Sequence, residues 1–213
     1  MTDAIPAQAP IDGRTTSARR KRAIRREKIL EAALRVFSDK GYHQTRVSDI
    51  IHEASIARGT FYLYFDSKST IFHELVDLLL ERIEANIVGV DLRDGAAPMR
   101  DQVLVSVRRV LAAFRADKSL ARLTLREAVG VDDETDRKLD EFYRQLHSWL
   151  QTSLNNGQAL GLLRDIDSEY VAWSILGSVK QLLWLVIDEP NAVLDRLGAV
   201  LLDHHLCGIR ANV

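Results

Sequence analysis

Residues 45–68, TRVSDIIHEASIARGTFYLYFDSK, decide how the chain reads. Val47, Ile50, Ile51 and Ala54 recur at helical spacing, so the stretch opens with a short amphipathic helix. Thr45 precedes it and is expected to offer its side-chain oxygen to the free N–H groups of the first turn. Ala54, Ser55, Ile56 and Ala57 read as a tight turn, with Ile56 directed inward. A second helix is expected over about residues 58–65, where Phe61 and Phe65 are four apart and share an anchoring face. The other face carries Gly59, Thr60, Tyr62 and Tyr64, beside Arg58 and Lys68. A short helix with a bare backbone position, hydroxyls and cations on one side suits the major groove of DNA. Small residues permit close approach, and hydroxyls and cations meet phosphates.

The longer run 41–68, GYHQTRVSDIIHEASIARGTFYLYFDSK, resembles the DNA-binding signature of TetR-type transcriptional regulators. Gly41, Tyr42, Thr45, Val47, Asp49, Ile50, Gly59, Thr60, Tyr62, Tyr64, Phe65, Ser67 and Lys68 carry the resemblance. Two positions depart from the family pattern. Ser55 replaces the usual turn glycine, so a residue with a Cβ must accept that geometry. Ala57 replaces the serine that caps the recognition helix, removing a cap worth roughly 1 kcal/mol.

The resemblance implies an all-α protein of about nine helices. An N-terminal three-helix head bears the helix-turn-helix, and a C-terminal helical part binds a ligand and forms the dimer. It implies a homodimer on a pseudo-palindromic operator, with half-site centres about one helical turn, roughly 34–36 Å, apart or modestly further. By the same resemblance Thr45, Arg46, Tyr62, Tyr64 and Lys68 position phosphates. Gly59 and Thr60 approach base edges, and Arg58 reaches a guanine. Repression is the family's usual outcome, and a ligand in the rear half would weaken DNA binding.

The 213 residues are 46% apolar, with four prolines and eleven glycines, a composition that favours helices over a loop-rich β fold. A single cysteine excludes an intramolecular disulfide framework, and no secretory signal is visible, so a cytoplasmic location is expected. The apolar run at 171–187 is broken by Ser174, Ser178, Lys180 and Gln181 and makes a poor membrane span. Net charge is −1 overall, yet residues 1–70 hold 13 Lys and Arg against 8 Asp and Glu. A basic front and an acidic back fit a molecule that offers one end to a polyanion.

Three regions follow from this reading: a disordered basic arm at 1–24, a helix-turn-helix head at 25–70, and a sensing and dimerisation part at 71–213. The arm carries Arg14, Arg19, Arg20, Lys21 and Arg22. It reads either as a reach to phosphates or the minor groove, or as a solubilising tail; the adjacent head favours the first. Ile29, Ala33, Val36 and Phe37 mark a first helix over 25–39 that Gly41 ends. A fourth helix starts at 67–69 and links head to rear. Asp132, Asp133 and Glu134 suit the N-terminus of a seventh helix, which Asn155, Asn156 and Gly157 are expected to break. The eighth helix, about 168–187, is apolar all round and needs cover on two sides, by its own core and a partner chain. With a ninth helix it would form the four-helix bundle of the dimer that the resemblance implies; the alternative is a buried central helix in a monomer.

The rear half should enclose a pocket walled by Phe114, Phe142, Tyr143, Leu146, Trp149, Trp173, Leu176 and Trp184. Arg126, His147 and Lys180 would be its polar members, and a lipophilic or amphipathic effector is expected. For each aromatic, plain core packing is a simpler reading than ligand contact, and for Arg126 and Lys180 a surface or ion-pair role is simpler still. No metal or other cofactor is expected, because the six histidines form no ligand set. Cys207 is expected to be a buried small residue. Nucleophile elbows, phosphate loops and dinucleotide fingerprints are missing from the sequence, so enzymatic activity has no positive support. Two rivals stay open: a helical small-molecule binder or enzyme with a vestigial head, and a sequence-indifferent DNA binder driven by the arm.

Overall fold

The computed structural model describes residues 13–209 apart from 92 and 94. Its described residues form nine α-helices and no strand. These are α1 (Gly13–Lys40), α2 (Val47–Ala54), α3 (Arg58–Tyr62), α4 (Lys68–Glu84), α5 (Met99–Ala116), α6 (Lys118–Glu127), α7 (Asp133–Ala159), α8 (Ser168–Val186) and α9 (Asn191–Ile209). α1 packs on α2 and α6, α7 on α8, and α5 on α9.

The first helix starts twelve residues earlier than the apolar pattern marks. The basic stretch from Gly13 to Ile24 continues α1 and does not run free. Arg, Lys and Ala are strong helix formers, and propagation from the anchored part at Ile29–Phe37 costs far less than a new nucleus. Residues 17–25 are solvent-exposed throughout. The arm's first twelve residues lie outside the described residues.

One core joins front and rear. Phe37, Phe61, Phe72, Ile29, Ile50, Ile71 and Leu79 are fully buried and continuous with Leu111, Leu120, Leu139 and Leu183. Phe37, Tyr42 and Phe72 form its aromatic centre, with ring centroids 4.6–5.8 Å apart. Such tilted and edge-to-face pairs add to area burial.

The turn between α2 and α3 has the expected backbone. Ser55 adopts φ 52° and ψ 52°, and its N–H donates to His52 O at 3.0 Å. A left-handed residue with a Cβ is strained by about 1 kcal/mol. Ser55→Gly is therefore expected to raise stability by about 0.5 kcal/mol, the glycine's extra unfolded-state entropy offsetting part of the relief. Urea denaturation with an unchanged or lower midpoint would contradict this. Ala57 stands at the N-cap of α3, which consequently has no side-chain cap.

Three local expectations fail. Thr45 does not cap α2: it is buried, and its hydroxyl donates to Gly41 O at 2.8 Å. Arg46 takes the N-cap position, and its backbone N–H donates to Asp49 Oδ2 at 2.9 Å. Residues 155–157 do not break α7, which continues to Ala159. Gly157 serves close packing instead, because a Cβ there would lie 2.8 Å from Leu163 Cδ1. Cys207 is exposed in the single chain.

Acidic side chains fasten the front to the rear. Glu127, last in α6, accepts a hydrogen bond from Tyr42 N at 2.9 Å. Asp132 caps α7 by accepting from Thr135 N at 2.8 Å, and also accepts from Ser69 Oγ at 2.8 Å. His73 Nε2 lies 3.0 Å from the same carboxylate. Asp77 on α4 pairs with Lys138 on α7, and Glu74 with Arg26 on α1. Partial burial acts to raise the Asp132 pKa, but the hydrogen bonds from Thr135, His73 and Ser69 prevail and hold it well below the usual carboxylate range. A depressed folded-state pKa contributes stability that is present above the unfolded value, near 4, and lost as pH falls below it. The urea midpoint is therefore expected to drop between about pH 5 and pH 3 by more in the parent than in Asp132→Asn. Parallel pH profiles would show that this carboxylate is not a pH-linked tie.

Candidate nucleic-acid interface and internal pocket

α3 is only five residues long, so anchoring from below must hold it. Phe61 is fully buried and Phe65 nearly so, four residues apart on one side. Backbone bonds Tyr64 N to Phe61 O at 2.9 Å and Phe65 N to Phe61 O at 3.1 Å carry the helical turn past Tyr62. The opposite side is open. Arg58 and Gly59 are exposed, Tyr62 is 45% exposed, and Thr60 and Tyr64 are partly so. A Cβ added at Gly59 would meet nothing within 4 Å. Cations gather around the phenols, with Arg58 5.9 Å from the Tyr62 ring centroid and Arg22 5.9 Å from that of Tyr64. Arg26 stacks over Phe65 at 4.8 Å and is spent on Glu74.

The structure thus brings Arg46, Arg58, Gly59, Thr60, Tyr62 and Tyr64 to the exposed surface of the head. It places Thr45 and Lys68 behind that surface. Lys68 Nζ donates to Tyr42 O at 2.7 Å, to Thr45 O at 2.8 Å and to His43 O at 3.3 Å, beneath the Tyr42 ring at 4.4 Å. Burial pushes its ammonium pKa down. A lysine at a helix N-terminus opposes the dipole; three converging carbonyls offset this, and the side chain staples the 42–45 turn. Ser48, His52 and Ser55 line a shallow groove with Arg58, a part of the face that the sequence reading missed. Their spacing of four and three residues along α2 was the available signal.

The rear half contains a cavity of about 90 Å³ between α4, α5, α6, α7 and α8. Of the candidate wall residues, Phe114, Phe142, Tyr143, Leu146, Leu176 and Lys180 line it. So do Leu79, Leu80 and Ile83 of the linking helix α4 and Thr124, Leu125 and Val129 at the end of α6. Trp149, Trp173, Trp184 and Arg126 lie outside the wall. The cavity ends at the level of Leu146 and Leu176, and Trp149 and Trp173 sit about a turn beyond it. Trp173, 42% exposed, stacks on His147 with ring centroids 4.4 Å apart. Arg126 covers the Trp184 ring at 5.4 Å and pairs with Asp188 at 3.2 Å. Polar groups at the cavity are few. Lys180 Nζ lies over the Tyr143 ring at 4.8 Å, and burial raises the Tyr143 pKa, keeping a neutral phenol. Thr124 Oγ1 is buried with no hydrogen-bond partner among the described residues. No group of three or more metal-ligating side chains occurs among the described residues, and no helix there is long and apolar enough to cross a membrane.

A reading helix on a buried aromatic anchor, set in front of a pocketed helical body, defines the helix-turn-helix regulators with an internal cavity. Residues 29–75, which span the helix-turn-helix, match the family model described as bacterial regulatory proteins, tetR family. The chain is 27% identical over 180 residues to the fatty acid metabolism regulator protein of Bacillus subtilis strain 168, covering 81% of this chain and 90% of that one. It is 29% identical over 160 residues to the uncharacterized HTH-type transcriptional regulator YdgC of the same organism, covering 74% and 78%. Among solved structures it is similar to FadR from Bacillus subtilis in complex with stearoyl-CoA, with TM-score 0.66, 26% identity, and 86% and 99% of the two chains covered. The fatty acid degradation regulator FadR from Bacillus halodurans gives TM-score 0.68 at 24% identity, covering 88% and 97%.

Proposed function

We propose that this chain is a repressor that binds a pseudo-palindromic operator as a homodimer and is released by a lipophilic effector. The observation that carries the reading is the open face of Arg58, Gly59, Thr60 and Tyr62 directly above a fully buried Phe61. Such a face has no role in the chain's own packing and suits a major groove. Arg46 and Tyr64 flank it and would meet phosphates, whereas Thr45 and Lys68 act from behind by holding the 42–45 turn. Residues 25–70 would form the reader and 71–213 the sensing and dimerising part. The protein would act in the cytoplasm, where its operator is.

α8 and α9 are assigned to the dimer because Tyr170, Trp173, Trp184 and Val200 are 42–71% exposed in the single chain. Large apolar groups grouped on two neighbouring helices mark a protein interface.

The effector class follows from the cavity walls and from the relative solved with stearoyl-CoA. A void of about 90 Å³ is far below the roughly 300–1,000 Å³ of a drug-sized ligand site. An acyl chain must therefore spread α4, α6 and α7. Because α4 both lines the cavity and begins in the head, spreading would change the spacing of the two readers and oppose simultaneous groove entry. The test is fluorescence anisotropy of an operator fragment with stearoyl-CoA added. Operator affinity is expected to fall by about tenfold or more; affinity indifferent to stearoyl-CoA would refute release by an acyl thioester.

A further inference from the structure

Between α6 and α7 runs a short segment, residues 127–132, EAVGVD. Both of its ends are carboxylates, and both reach forward into the head. Glu127 Oε2 accepts from Tyr42 N at 2.9 Å. It also sits where a Cβ on Gly41 would be 3.5 Å away, so it is seated against the turn that follows α1. Asp132 accepts from Ser69 Oγ at 2.8 Å and lies 3.0 Å from His73 Nε2, within the first two turns of α4. Ala128 between them is fully buried, and Gly130 takes φ 78°, the backbone reversal that lets both ends point the same way.

The same segment touches the cavity. Thr124 and Leu125 precede Glu127 by less than one turn, Val129 follows it by two residues, and all three line the cavity wall. The Tyr42–Thr45 turn that Glu127 holds is the one whose carbonyls Lys68 gathers, and it leads directly into α2. A displacement of the cavity wall at α6 is therefore one hydrogen bond away from the entry to the reading motif.

We propose that residues 127–132 are a two-point strap that couples cavity occupancy to the head, with Glu127 as the positioning residue. The proposal rests on the repressor reading above. When the cavity is small, Glu127 holds the 41–45 turn and Asp132 holds the start of α4, fixing the head's angle on the body. Filling the cavity pushes Val129 and the end of α6 outward, withdraws Glu127 from Tyr42 N, and frees the head to turn.

The test compares Glu127→Ala, which removes the acceptor, with Glu127→Gln, which keeps an amide oxygen at the same reach. Operator affinity is measured with and without stearoyl-CoA, and stearoyl-CoA affinity is measured separately. Glu127→Ala is expected to bind stearoyl-CoA within about threefold of the parent, to bind operator about five- to tenfold more weakly than the parent when no ligand is present, and to lose most of the ligand's effect, from about tenfold to about twofold. Glu127→Gln is expected to restore it. An undiminished ligand effect in Glu127→Ala overturns the strap, as does an operator-affinity loss equal with and without ligand, which is a structural effect alone. If stearoyl-CoA leaves the parent's operator affinity unchanged, the acyl-effector reading fails. The strap is then judged by hydrogen exchange. Glu127→Ala must speed exchange at the Tyr42 amide, and equal protection overturns it.

Discussion

Phe61→Ala is expected to destabilise the protein by about 3–5 kcal/mol and to abolish operator binding. Phe61 is fully buried, 6.3 Å from Phe65 and 5.3 Å from Tyr62 between ring centroids. A five-residue helix has almost no stability of its own, so without this ring only Phe65, beyond the helix's last residue, would be left to anchor Arg58 and Tyr62. The core is continuous from the head through α4 to the rear, so the loss should appear in the global urea transition. A cost under about 1 kcal/mol would mean that α3 is not held by this ring.

Gly59→Glu should do the reverse: leave the fold intact and remove function. Gly59 is exposed, its φ is not in the left-handed region, and a Cβ there meets nothing within 4 Å. Replacing glycine inside a helix is favourable by up to about 1 kcal/mol, and a carboxylate in the first turn suits the dipole. On DNA the same side chain fills the space needed for backbone approach and sets a negative charge against phosphates. Operator affinity is expected to fall by about a hundredfold or more, the loss of one to two good contacts plus repulsion, at unchanged or higher melting temperature. Near-parental affinity would show that this face does not enter the groove. Phe61→Ala and Gly59→Glu together separate holding the reader from reading with it.

Much of the head was legible because its signals are local. Helical spacing placed α2 and α3, four-residue spacing paired Phe61 with Phe65, and Ser55 and Ala57 showed the backbone features that their side chains imply. What the sequence hid depended on distant partners. Thr45 and Lys68 look like surface contacts until the carbonyls of Gly41, Tyr42 and Thr45 are seen around them. Gly157 reads as a breaker, yet it exists for Leu163, six residues on. The N-terminal extension of α1 has no apolar periodicity to announce it, since all of residues 17–25 face solvent.

In the rear, spacing gave the apolar stripes of α7 and α8 but not where along them the cavity stops. That is why Tyr143 and Leu176 line it while Trp149 and Trp173, a turn further, do not. The wall contributed by α4 and α6 was not foreseen, because Leu79, Ile83 and Leu125 look like ordinary core. Those two helices are also bound to the head, α4 through Glu74 to Arg26 and α6 through Glu127 to Tyr42 N.

The most direct measurement is competitive fluorescence anisotropy at about 150 mM salt, using the duplex that the purified protein selects from its own genome against a random duplex of equal length. A preference of about a thousandfold or more is predicted, with two subunits bound per duplex. Equal affinity for both duplexes, falling steeply with added salt, would instead describe binding by the basic helix alone and would contradict a sequence-reading face on α3.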